Sequence, residues 1–334
     1  MTSSVARRPK TNVRGVAILP LLAAVAAAAA GCARLAEWAA PRKRATTLAE
    51  RRPSALKADA LMWQTLHGGQ YERIDDTLTA LTAAYLENPR DAVTAGHLGF
   101  MHTWRLSERA RLDAVPPTIT DHAVLARRYF GESVQLDPGD ARILGFYGSL
   151  LLAEGKIHQD ETLTRRGYYT LRDAIDAWPE FNYFTAGYAM SQLPYDSRRY
   201  AEALDFQWRN LDVCAGRKID RQHPSYGEFM VNETKQGPKR VCWNSWIAPH
   251  NFEGFFLNMG DMLVKAGQVE TATRIYAMAR LTRDYPAWKY RDVLEARVRD
   301  AQRNVVLFRA TDLPGGQSQI MVQSRFACAG CHEE

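Results

Sequence analysis

The sequence predicts an all-α body made of successive helical hairpins. Two observations carry this expectation: apolar residues recur at steps of three and four from Ser54 onward, and Gly or Pro interrupts the pattern at intervals. A third is that the same order of small, apolar and proline positions returns several times along the chain.

The elements follow in order. Leu56, Ala60, Trp63 and Leu66 define a first helix behind Ser54 as N-cap, stopped by Gly68-Gly69. Tyr71, Ile74, Leu78, Leu81 and Tyr85 define its partner, which ends at Asn88-Pro89, giving one antiparallel pair. Ala126, Phe130 and Ser133 precede Asp137-Pro138; Leu144, Gly148 and Leu151 follow; Gly155 breaks the helix; Leu171 and Ala174 lead to Trp178-Pro179 and then Gly187. Gly260, Gly267, Ala272, Tyr276, Ala279 and Pro286 give the pattern again. The spacing predicts pairs over 55–87, 90–136, 139–177, 179–211 and 249–284, with a closing helix over 287–303.

These positions resemble the tetratricopeptide repeat, a helix–turn–helix unit with small residues where the paired helices touch and Pro after the second helix. The resemblance covers about residues 55–303. It implies an α-solenoid of about five hairpins, whose concave groove in this family binds peptides or protein segments. The protein's own insertions are an alternative filling for that groove, and an irregular helical bundle is the alternative architecture.

At 334 residues, with 46% hydrophobic and 24% charged residues, the chain can bury an ordinary core, which excludes wholesale disorder and collagen-like repeats. Its formal charge is +6, but Arg7, Arg8, Lys10 and Arg14 all lie in the first fourteen residues. Without that segment 39 basic groups face 37 acidic ones, so no nucleic-acid footprint is expected.

The basic start is followed by fifteen apolar residues, Val16 to Ala30, broken only by one Pro, and then by Gly31-Cys32. The run is short for a membrane span, which needs about 20 residues, and reads as a secretory signal peptide. Ala29-Ala30-Gly31-Cys32 resembles the lipobox of bacterial lipoproteins, with Ala29 where Leu is usual. The resemblance implies removal of 1–31, lipid on Cys32, and a location on the periplasmic side of the outer membrane or at the cell surface. An ordinary signal peptide or an uncleaved anchor is the competing reading. The Ala- and Arg-rich residues 32–53 then serve as a tether, and 54–303 as the helical domain.

Residues 212–245 form a polar, Gly- and Pro-bearing insertion that holds Cys214 and Cys242. In an exported chain these two are expected to form a disulfide, against buried thiols or metal-binding thiols as alternatives. Directly afterwards stand Trp243, Trp246, His250, Phe252, Phe255 and Phe256. They either pack the loop onto the neighbouring hairpin or wall a flat apolar cofactor.

The tail, 304–334, ends Cys328-Ala329-Gly330-Cys331-His332-Glu333-Glu334. Cys-x-x-Cys-His resembles the attachment sequence of c-type cytochromes. The resemblance implies covalent haem c, with thioether bonds at Cys328 and Cys331 and His332 as the proximal iron ligand. From composition such a motif is expected by chance only about 0.002 times in this chain. A redox CxxC pair, a zinc site and a simple disulfide are the rivals. Since only two residues follow the motif, the haem is expected to dock against upstream structure, lie exposed or meet a partner. For a second axial ligand the candidates are Met321, His250, Met259 and Met262, or no residue at all. His67, His97, His102, His122, His158 and His223 are expected to be hydrogen-bonded surface or core residues.

No general base, nucleophile or phosphate loop stands out. The sequence therefore points to a membrane-anchored electron carrier or redox-partner docking protein. The alternative is a periplasmic scaffold or assembly factor that holds peptide segments and uses the tail for metal or thiol chemistry.

Overall fold

A computed structural model describes residues 44–245, 251–310 and 319–333, with Asn251 described in its backbone alone. The chain divides into residues 1–43 and 44–334, and every described residue lies in the second unit. The expectations for the signal segment, Cys32, Trp246 and His250 fall outside the described residues.

Among the described residues there are thirteen α-helices and no strand. They are α1 (Pro53–His67), α2 (Ile74–Glu87), α3 (Ala92–Ser107), α4 (Asp121–Leu136), α5 (Ala141–His158), α6 (Glu161–Ala177) and α7 (Pro179–Met190). α8 (Arg198–Ala215), α9 (Asn251–Ala266), α10 (Val269–Ala279), α11 (Arg291–Arg299), α12 (Ala301–Arg309) and α13 (Ala329–His332) complete the series. The helices pack as consecutive pairs, α1 with α2, α3 with α4, α5 with α6, α7 with α8 and α9 with α10, and α5 also packs on α7.

Local chemistry explains the boundaries. Asp91, Asp140 and Asp160 cap α3, α5 and α6, each carboxylate accepting two backbone N–H groups of the first turn. Asn88, Asp137 and Trp178 end α2, α4 and α6 in one shared conformation, with φ from −130° to −153° and ψ of 84°. Each precedes a proline, whose ring disfavours the helical region for the residue before it. One device thus terminates three second helices.

Small residues bring the pairs together. A Cβ at Gly148 would lie 3.0 Å from the Leu171 backbone nitrogen, and one at Gly260 would lie 2.2 Å from the Tyr276 ring. Only glycine admits these approaches without repacking.

The expected closing helix over 287–303 is instead two short helices. A 3₁₀ turn occupies Tyr285–Ala287, and Asp300 leaves helical geometry (φ −100°, ψ 13°) between α11 and α12. The break lets α12 pack on α9, where Phe308 is buried and Arg309 Nε donates to the Lys265 carbonyl at 2.8 Å.

The insertion starts later than the spacing suggested, because α8 runs to Ala215 and Gly216 then turns with φ of 72°. Cys214 and Cys242 are joined as a disulfide across this loop, with Cα atoms 5.3 Å apart. Trp243 stacks between Phe229 (5.1 Å) and Phe252 (4.8 Å), and Phe255 and Phe256 are buried beside them. This aromatic group fastens the loop to α9 and is core.

Candidate functional site

The tail does not hang free of the helices. Ile320 and Met321 are fully buried, and the Met321 N–H donates to Asp261 at 2.8 Å. Asp261, itself buried, is paired with Arg297 at 3.2 Å and accepts the Tyr276 hydroxyl at 2.7 Å. Burial raises its carboxyl, and the Arg297 charge and these hydrogen bonds oppose that rise. Further on, Tyr188 donates to the Ala327 carbonyl at 2.8 Å and Trp288 Nε1 to the Gly330 carbonyl at 3.2 Å. Lys289 pairs with Glu333 at 2.9 Å, and Tyr290 donates to the same carboxylate.

Glu108, at the end of α3, fixes the motif itself. One of its oxygens accepts the N–H groups of Cys328 and Ala329, both at 2.7 Å, at the start of α13. The other is paired with Arg111 at 2.7 Å, and Arg111 also donates to the Arg325 carbonyl. Burial raises the Glu108 carboxyl, with Arg111 and the two tail N–H groups among the influences pulling it back down. On the opposite side α13 rests on α9, where a Cβ at Gly254 would lie 2.3 Å from Cys331 Sγ. Cys331 belongs to the core of the later hairpins, and Cys328 packs against the core of the first two. The motif therefore bridges hairpins widely separated in sequence.

Cys328, Cys331 and His332 line two adjoining apolar cavities of about 190 and 430 Å³. The aromatic walls come from the first helices of four hairpins: Trp63 of α1, Phe100 of α3, Phe146 of α5, and Phe181 and Phe184 of α7. Phe146 and Phe184 border both cavities. Phe100 meets Phe130 and Phe146 edge-on at 5.1 and 4.7 Å, which fixes those rings. Trp63, 37% exposed, stands edge-on to both His67 (5.6 Å) and His97 (5.7 Å).

Both thiols are free of a disulfide and are pushed up in pKa by burial, Cys331 to about 12 and Cys328 well above the normal thiol value. A thiolate here would be a buried charge repelled by Glu108 at both sulfurs, opposed at Cys328 by Ser107 and Arg111. A thioether sulfur carries no charge and costs nothing of that kind. The donor set and the cavity walls thus fit a flat, apolar, covalently held group.

The methionines proposed from sequence are not brought to these cavities. Met259 and Met262, on α9, are fully buried in the core, and Met321 packs beneath the motif, its Cε 2.7 Å from a Cβ placed at Gly330. The histidine that does line the smaller cavity with His332 is His97 of α3. The wall aromatics were also missed, because they are spread over four hairpins; their common signal is placement near the small residue of a first helix, as Phe146 is two residues before Gly148 and Phe184 three before Gly187.

No family model matches the chain, and neither a curated protein nor a solved structure matches it significantly.

Proposed function

We propose that this is an exported, lipid-anchored helical-hairpin protein of the tetratricopeptide type that carries one covalent haem c and serves electron transfer or the docking of a redox partner. Thioether bonds form at Cys328 and Cys331, and His332 is the proximal ligand. The haem supplies one-electron redox chemistry when bound; the chain encloses it, sets its orientation and excludes water.

The observation that carries this reading is the convergence of all three motif side chains on cavities walled by Trp63, Phe100, Phe146, Phe181 and Phe184. A ligand site of this kind is expected to be concave, mostly apolar and served by few polar groups.

The test is an absorbance spectrum and intact mass of protein made in a host that matures c-type haem in the periplasm. A reduced band in the region of about 550 nm, with one haem mass added covalently, is expected. Loss of both in the Cys328→Ala, Cys331→Ala double variant completes the case, and a colourless wild-type protein of bare polypeptide mass overturns it.

A further inference from the structure

His97 differs from the other histidines in how its ring is held. It sits on α3 with 8% of its surface exposed and lines the same cavity as Cys328, Cys331 and His332. Its Nδ1 lies 2.6 Å from Asp59 Oδ1. Asp59 reaches Arg51 through its other oxygen at 2.5 Å, and Arg51 is tied in turn to Asp91 at 2.8 Å.

Paired with the Arg51 guanidinium, Asp59 is a carboxylate, which can only accept. Nδ1 must therefore carry the hydrogen of this contact, and in the neutral ring Nε2 is left with its lone pair. A carboxylate on the far nitrogen, fixing tautomer and ring plane, is how metal-binding imidazoles are oriented in proteins. Trp63, edge-on to the ring at 5.7 Å, blocks its rotation from another side. Met62, the other His or Met donor on this wall besides His332, is fully buried in the first-hairpin core.

We propose that His97 is the second axial ligand of the iron, with Asp59 and Arg51 positioning it, so that the haem is clamped between α3 and the tail by two imidazoles. This rests on the haem reading above. Two imidazoles give a lower reduction potential than a histidine–methionine pair and leave no open iron position for small molecules. The arrangement therefore suits electron transfer rather than ligand activation.

The experiment uses the full chain matured with haem, and reads the spin state and cyanide binding of the ferric protein. Wild type is expected to be low-spin and slow to bind cyanide. His97→Ala should become high-spin, bind cyanide faster by on the order of tenfold or more, and return to the low-spin spectrum when imidazole is added. His97→Met should stay six-coordinate with a raised potential, which distinguishes lost ligation from lost folding. Asp59→Asn should keep the low-spin spectrum and raise the potential, because a neutral partner makes the imidazole a weaker donor. His67, whose ring lies 6.3 Å from that of His332, is the rival imidazole: His67→Ala should stay low-spin. A coloured His97→Ala that stays low-spin, a high-spin wild type, or a high-spin His67→Ala overturns the assignment. A colourless wild type instead overturns the haem reading beneath it.

Discussion

Glu108 accepts the backbone N–H of Ala329 at 2.7 Å, joining α3 to the motif helix across 221 positions of sequence. Because the carboxylate also serves Cys328 and faces Arg111, its removal leaves two tail N–H groups and one part-buried guanidinium short of their acceptor. Glu108→Ala is therefore expected to cost about 3–5 kcal/mol, the range for breaking a buried charge pair. Chemical denaturation should show that loss, and Glu108→Gln, which keeps one acceptor oxygen, should lose less.

Gly254 has no room for a side chain. A Cβ there would lie 2.3 Å from Cys331 Sγ and 2.7 Å from the Gly330 carbonyl oxygen. Gly254→Ala is expected to push α13 off α9 while leaving the hairpins folded, because the added methyl meets the tail. Limited proteolysis should then release the tail faster with the helical circular dichroism little changed; equal protease resistance would contradict this account.

The disulfide closes a loop of 28 residues in sequence separation. In the chain-entropy model that is worth about 3–4 kcal/mol. Cys214→Ser, Cys242→Ser protein should lose stability by that order. Its loop should be cut preferentially, since what remains to hold it is the Phe229, Trp243 and Phe252 stack and nearby hydrogen bonds.

His102 and His122 face each other with Nδ1 atoms 2.9 Å apart, and His102 stacks on Tyr129. Burial, then the neighbouring His122, depresses His102 to about 4, and burial also lowers His122. A group with a folded pKa below its unfolded value of about 6.5 binds protons more readily when unfolded. Its stabilisation is therefore complete above about pH 6.5 and is lost as pH falls toward 4, by about 3 kcal/mol at most. Denaturation midpoints measured between pH 7 and 4 should show this slope, and His102→Phe should flatten it.

How much of this was legible beforehand depends on the range of the forces involved. Helix pairs were readable because their terminators are local: Asn88, Asp137 and Trp178 stop helices through the proline next to each. The break at Asp300 was not, since it serves the packing of α12 on α9 rather than any nearby sequence rule. The motif's residues were plain from their spacing, but its destination was not, because Glu108, Gly254 and Trp288 contact it from far upstream. His97 looked like an ordinary core histidine. What distinguishes it is a carboxylate on the preceding hairpin, Asp59, and no periodicity signals that meeting. Trp243, Phe252, Phe255 and Phe256 stood out by density, yet they hold the loop, while the cavity is walled by aromatics from four separate helices.

The distance along the chain between Glu108 and Ala329 also governs the order of events during biosynthesis. Helical hairpins close short loops and form early, whereas a contact spanning more than two hundred residues is among the last to be made. On the haem reading proposed above, the sulfurs of Cys328 and Cys331 would be reached for attachment before this late contact is made. Docking then encloses Cys331, which is buried where α13 rests on α9.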